Sequence, residues 1–403
     1  MPKKSRNKNH THFLTLPTLL ILLVYTPTAF ADAYGEARAE LVAAYQAEDF
    51  TAMRAAAERS LEARPGYAGA LFNLALAHVL NGDEYRAMDT LYALLDQKVD
   101  FGVKDIDEFE PLRRMPDWAP YSEKVSKLYE PVGDAMVAVS YAQGDFVPEG
   151  IALGDDGELF LGSIRHGDIL RIGETTKTLV TAEQGGHWSV FGMRYDGKGA
   201  LWYVSAAIDE FADRDAGDAG RNGLFAVDTA SGSMLVKAHL PQTGNKQVLG
   251  DLILVDDDTI LVADQADGVV YRYTISTEEF STVIERGRIA SPQGLVLDAS
   301  GDYLYVADYT GGLFRAHIES GEVDRVRSPD SVSDYGIDGL YRYGNRLIAI
   351  QNGIRPNRVV ELELSVAGDE IVGSRIVAMN LPQFDDPNLG QIVGDEFLFI
   401  ANS

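Results

Sequence analysis

The sequence contains no cysteine. That absence excludes disulfides, thiol chemistry, iron–sulfur clusters and a lipid-modified cysteine anchor, so stability has to come from packing alone. Positive charge is scarce as well. The chain has 35 Lys and Arg against 61 Asp and Glu, a formal net charge of −26 at pH 7. A charge of that sign argues against nucleic acid and anionic membrane surfaces as partners. It suits a protein that binds cations, and equally one with a plain acidic surface. There is no Gly-x-Ser-x-Gly elbow, no His-Glu-x-x-His and no phosphate-cradling glycine loop. Serine hydrolases, zincins and nucleotide enzymes are thereby disfavoured.

What is present begins with a secretory signal at residues 1–31. Lys3, Lys4, Arg6 and Lys8 form its basic start, and residues 13–25 form an apolar core too short for a membrane span. Ala29-Phe30-Ala31 is a small-x-small cleavage site. The expectation is a mature chain starting at Asp32, periplasmic or secreted, with no stable membrane insertion after cleavage. The alternative is an uncleaved N-terminal anchor.

Residues 32–130 read as helical. Residues 33–47 are rich in Ala and Glu, strong helix formers. Asp49 is a good N-cap for a second helix running to about Ala63, stopped by Arg64-Pro65-Gly66. Residues 68–80 make a third helix closed by Asn81-Gly82-Asp83, and residues 84–95 a fourth. Two helical hairpins thus repeat at an offset of about 34 residues. Residues 105–127 look like a third, degenerate unit broken at Pro116. Leu74-Ala75, Gly82 and Ala87 fall where tetratricopeptide repeats place their packing residues, so the segment resembles that family. The resemblance implies a concave surface for a protein partner. A short array that only caps the domain after it fits equally well.

Residues 131–403 read as mainly β. The clearest unit is residues 291–316. Gly294-Leu295-Val296-Leu297-Asp298 and residues 303–308 are strands, and Leu313 starts a third after the turn at Gly311-Gly312. Similar units begin at Gly150, Gly192, Asp251, Gly339 and Gly390, about 42 to 59 residues apart. Six such units predict a six-bladed β-propeller, giving a mainly β chain with an α-helical N-terminal domain. Residues 135–141 alternate like a strand. They are expected to join the last blade, which has only two strands of its own, and so close the ring.

In that architecture the residues before each first strand ring one mouth of the channel: Glu149, Phe191, Gly250, Gln293, Asp338 and Leu389. The ends of the second strands form a wider ring: Ser163, Ser205, Asp264, Asp308, Asn352 and Asn402. Carboxylates and a carboxamide converging on one channel have the chemistry of a hard-cation site, for Ca²⁺ or Mg²⁺. A wet channel is polar for no other reason, which is the competing explanation. His187 and His166 lie near the same face, where a histidine suits a general base at neutral pH or a plain loop role. Trp188 and Phe191 either wall a ligand or pack between blades. Residues 206–222 read as a lid or a solvated excursion.

Pro148-Glu149-Gly150, Pro292-Gln293-Gly294-Leu295 and Ile337-Asp338-Gly339-Leu340 resemble the SMP-30/gluconolactonase/luciferin-regenerating-enzyme family of six-bladed propellers, over about residues 135–403. The resemblance implies a divalent cation at the mouth, Ca²⁺ first among candidates, on Glu149, Gln293 and Asp338. It implies a polarised lactone carbonyl, with Asp338 or His187 handling the proton. The chain departs from the family at two positions. Gln293 stands where the family has Asn, and Gly250 replaces a second Asn with no side chain at all. The expectation is a metal-dependent lactone or ester hydrolase. The competing expectation is a binding or scaffolding propeller that holds a protein partner or small ligand.

Overall fold

The computed structural model describes residues 33–403 other than 142, 143, 156 and 216. The expected secretory segment lies outside the described residues. No helix among those described is long and apolar enough to cross a membrane.

The helical region is built from α1 (Ala33–Gln46), α2 (Phe50–Ala63), α3 (Ala68–Leu80), α4 (Glu84–Asp96) and α5 (Trp118–Leu128). Two short 3₁₀ turns, Val103–Asp105 and Asp107–Arg114, precede α5. The capping chemistry is where the sequence puts it. Asp49 accepts from Ala52 N at 3.0 Å and Asp83 from Arg86 N at 3.4 Å, each satisfying a donor that the first helical turn leaves open. α1 packs on α2, α2 on α3 and α3 on α4. Leu41, Met53, Ala56 and Ala57 fill the first interface, while Leu91, Leu94, Phe109 and Leu112 centre the second. Two successive helix pairs, α1–α2 and α3–α4, are present. Beyond them, residues 103–128 form 3₁₀ turns and one helix, because Pro111 and Pro116 interrupt any longer helix.

The rest of the chain forms antiparallel sheets. Blade 1 is β1 (Pro148–Leu153), β2 (Leu159–Ser163), β3 (Ile169–Ile172) and β4 (Thr176–Val180). Blade 2 is β5 (Ser189–Tyr195), β6 (Ala200–Ala206), β7 (Asn222–Asp228) and β8 (Met234–His239). Blade 3 is β9 (Leu249–Leu254), β10 (Thr259–Asp264), β11 (Val269–Thr274) and β12 (Glu279–Ile284). Blade 4 is β13 (Pro292–Leu297), β14 (Tyr303–Asp308), β15 (Gly312–His317) and β16 (Val323–Arg325). Blade 5 is β17 (Ile337–Tyr343), β18 (Arg346–Gln351), β19 (Arg358–Leu364) and β20 (Ile371–Met379). β21 (Gly390–Val393) pairs only with β22 (Glu396–Phe399).

The propeller therefore has five four-stranded blades, not six, and a two-stranded hairpin in the sixth place. The ring still closes, because β21 packs against both β17 and β1, and Gln391 Oε1 accepts from Leu153 N at 2.9 Å. Residues 135–141 do not complete the hairpin, contrary to expectation. They form no strand, and Met136, Val137 and Val139 are exposed. Apolar alternation marks a segment able to lie in a sheet, but a strand also needs a neighbour's free edge within hydrogen-bond reach. Only Tyr141 of this stretch packs inward, edge-on to Phe146.

Inner strands crowd the axis. A Cβ on Gly192 would lie 2.6 Å from Asp251 Oδ1, and one on Gly294 would lie 2.7 Å from Leu340 N. Only glycine allows adjacent inner strands to approach this closely. The helical region sits over the mouth face at blades 4 and 5. Arg64 Nη1 donates to Thr310 O at 2.6 Å, Tyr335 Oη to Pro65 O at 3.1 Å, and Asp100 N to Arg355 O at 2.9 Å. Ile354 and Met379 of blade 5 belong to the core centred on α4.

Candidate functional site

The first and second strands of each complete blade slip register at one place, the mouth end. The irregularity falls at Glu149 in blade 1, between Val190 and Met193 in blade 2, and at Gly250 in blade 3. It falls at Gln293 in blade 4 and at Asp338-Gly339 in blade 5. A bulge gives one residue no cross-strand partner and re-aims its side chain. Every mouth residue expected from the five complete blades is thus in or beside a bulge.

Glu149 and Asp338 are brought together. Each has one oxygen held by a carboxamide. Asn388 Nδ2 donates to Glu149 Oε2 at 2.7 Å, and Asn352 Nδ2 donates to Asp338 Oδ2 at 2.7 Å. Tyr309 Oη in turn donates to Asn352 Oδ1 at 3.2 Å, and Asn388 Oδ1 accepts from Leu389 N at 2.8 Å. No hydrogen bond engages Glu149 Oε1 or Asp338 Oδ1, and neither carboxylate has an ion-pair partner among the described residues. Desolvation, then Asp338, then Asp386, push the Glu149 carboxyl well above its usual range, against the pull of Asn388. Desolvation raises Asp338 to about 6, with Asp386 and Asp251 adding and the Asn352 hydrogen bond opposing. A half-buried carboxylate pair with no cation beside it holds a proton or takes a cation.

Deeper in the channel, Asp251 occupies the place that glycine holds in the other inner strands. It is 1 % exposed, its Oδ1 accepts from Arg194 Nη2 at 3.1 Å and its Oδ2 from Leu295 N at 3.1 Å. Tyr341 Oη accepts from Gly390 N at 2.6 Å nearby.

The remaining expected residues lie elsewhere. Gln293 Nε2 donates to Ser291 Oγ at 3.2 Å, and no hydrogen bond among the described residues joins it to Glu149 or Asp338. The structure does not bring His187 to the carboxylates either. It is 3 % exposed between blades, Nε2 against Gly167 O at 2.7 Å and Nδ1 against Tyr203 Oη at 3.0 Å. Burial lowers its pKa to about 4. His166 pairs with Asp145 at 3.0 Å on the surface. Trp188 and Phe191 are buried in blade packing. Residues 206–222 fold back through Ala207 N to Arg221 O and Ala212 N to Arg165 O.

The outer ring has a structural task. Asp264 Oδ1 accepts from Val248 N, Ala266 N and Asp267 N, and Asp308 Oδ2 accepts from Ala290 N and Ser291 N. Trp188 N donates to Ser205 Oγ at 2.7 Å. These side chains tie down the loop that leads into each first strand. Gly250 supplies no side chain, but Gln265 reaches over it, so that a Cβ there would meet Gln265 Oε1 at 2.3 Å.

The sequence alone did not single out Asn388, Asp386, Tyr309 or Gln265. The Asp385-Asp386-Pro387-Asn388 turn cluster just before β21 was the available signal, because it stands where the other units carry their mouth residue. Among the described residues, no three His, Cys, Asp or Glu side chains are grouped so as to hold a metal ion.

No family model matches the chain, and no curated protein matches it. Solved structures with a similar fold include the PQQ-bound aldose sugar dehydrogenase of Streptomyces coelicolor. That match has 13% identity and a TM-score of 0.45, and covers 63% of this chain and 87% of the other. A catalytically inactive virginiamycin B lyase from Staphylococcus aureus with quinupristin matches at 13% identity, TM-score 0.44, over 66% of this chain and 95% of the other. A nidogen/laminin complex matches at 14% identity, TM-score 0.43, over 57% and 80%.

Proposed function

We propose that the propeller mouth is a hydrolytic site for a small lactone or ester, using a divalent cation held by Glu149 and Asp338. The observation that carries this is the bulge-borne carboxylate pair, each acid clamped by an asparagine and neither neutralised by a basic side chain. The donor set suits a hard cation. Glu149 Oε1 and Asp338 Oδ1 are open, and water completes such a shell readily. When bound, the cation would polarise the ester carbonyl. Without a cation, burial holds Asp338 at about 6; a cation beside it would return the carboxylate to its ionised form, so Asp338 would serve as a ligand and the proton of an attacking water, made more acidic by the cation, would leave to solvent at the open mouth. Asn352, oriented by Tyr309, keeps Oδ2 occupied and leaves Oδ1 for the cation. Neither Gln293 nor His187 has a part in this arrangement. The Ca²⁺ preference and the resemblance to lactone-hydrolysing propellers stand on the same residues.

A second reading is a propeller that binds without catalysis, holding a small ligand or, through its helices, a protein partner. Two carboxylates fall short of a three-ligand metal group, and that favours this reading. Calcium calorimetry on the full chain separates the two. The proposal expects binding that Glu149→Gln weakens at least tenfold, followed by turnover of a member of a lactone panel. A folded wild-type chain that binds no calcium overturns the proposal.

A further inference from the structure

A second site lies away from the mouth. A cavity of about 330 Å³ separates the end of α4 from the fifth blade. Arg358, the first residue of β19, lines it and is 3 % exposed. Its Nε donates to Gln351 Oε1 at 2.6 Å, and its Nη1 to the carbonyls of Gln97 and Lys98 at 3.0 and 3.1 Å. Nothing among the described residues engages its Nη2. Arg194 faces Asp251 and Arg325 faces Asp334, whereas Arg113, like Arg358, has only neutral partners. Arg358 pairs with no carboxylate among the described residues, although Asp96 lines the same cavity at its exposed end. Hydrogen bonds to neutral groups offset the desolvation penalty of a buried guanidinium only in part, and an anion is its usual complement.

Two further groups close by lack partners, though neither has surface toward the cavity. Gln97 Oε1 and Ser333 Oγ are buried with no hydrogen-bond partner. Their residues line the cavity from opposite sides, one from the helical region and one from the loop before β17. Lys98 adds a second positive charge at the rim, and Val332, Val360 and Ile376 make the walls apolar. A water-filled void would not explain an uncompensated cation. A bare ion would leave most of the space empty.

We infer that this cavity binds a small organic oxyanion, a carboxylate or a phosphate monoester. The anionic oxygens meet Arg358 Nη2, with Lys98 close by. Because the two sides of the cavity belong to the helical region and to blade 5, an occupant ties them together and raises the stability of the whole.

The test uses the full chain with glycerate, glycerol 3-phosphate and, as neutral control, glycerol. Arg358 also holds two backbone carbonyls, so the informative variants leave it in place. Ser333→Ala removes a hydroxyl with no partner to lose. Ser331→Asp sets a carboxylate against the anion. The expected result is one-to-one binding and a raised Tm with at least one of the two anions, and none with glycerol. Affinity should fall at least tenfold in Ser331→Asp and stay near wild type in the control Ser333→Ala, with the ligand-free Tm of both near wild type. Absence of binding by both anions, equal binding of glycerol, or a Ser331→Asp variant that binds like the wild type would each overturn the assignment.

Discussion

Neutralising one acid of the mouth pair should stabilise the protein when no cation is present. In Asp338→Asn the new carboxamide keeps an oxygen for the Asn352 donor and removes the charge that faces Glu149. Burial raises Asp338 from 3.8 to about 6. An acid whose folded pKa is raised stabilises the fold while protonated. That contribution is complete below the unfolded pKa near 4 and is lost as pH rises through about 6. A rise of that size corresponds to at most about 3 kcal/mol, and relaxation around a mouth that is not sealed reduces this toward about 1 kcal/mol. Urea melts at pH 4 and pH 8 in chelator measure it. The variant should match the wild type at pH 4 and exceed it by about 1 to 3 kcal/mol at pH 8. Added calcium should close or reverse the gap at pH 8, because only the wild type gains from binding, by about 2.7 kcal/mol at a hundredfold excess over Kd. A variant that is less stable than the wild type at pH 8 in chelator, or equally shifted at both pH values, refutes the account of an uncompensated pair.

Two substitutions probe the surroundings of the site. His187→Phe removes hydrogen bonds to Gly167 O and Tyr203 Oη, and should cost about 1 to 3 kcal/mol at pH 7 while leaving the pH profile of any hydrolysis unchanged. In the wild type the lowered His187 pKa favours the folded state above pH 6.5, and this is lost as pH falls toward 4; the variant should lack that slope, whereas a changed activity profile with unchanged stability would return His187 to the chemistry. Gly192→Ala drives a methyl onto Asp251, 2.6 Å from Oδ1 and 2.8 Å from Cα, and should cost roughly 1 to 3 kcal/mol in a thermal melt, a neutral result showing that the inner strands can part.

The strands and helices were legible because their signals are local. Period-two apolar runs, glycine turns and the Asp49 cap each act within a few residues. The mouth positions of Glu149 and Asp338 were legible for a related reason: repeats align with one another, and the residue ahead of each inner strand can be read off in turn. What escaped is non-local. The clamp on Glu149 comes from Asn388, 239 residues away in sequence, and the bulges that aim the mouth residues are slips between two strands, with no mark on either alone. The apolar alternation of residues 135–141 misled because periodicity reports which face a side chain would take, and says nothing about whether a neighbouring edge exists.

The same self-alignment carries one further step. Five inner strands place glycine where the sixth places Asp251, so one unit of the repeat supplies bulk and charge to an axis that the others leave clear. Its two oxygens are taken by Arg194 of blade 2 and the Leu295 amide of blade 4, which joins three consecutive inner strands through one side chain. An acid held in this way is 1 % exposed and has no oxygen left for a ligand, whereas Glu149 and Asp338 each keep one. Acidic residues of this channel thus divide by what already holds them. Asp251, clamped on both oxygens, ties neighbouring inner strands together, while Glu149 and Asp338, each clamped on one, keep an oxygen open.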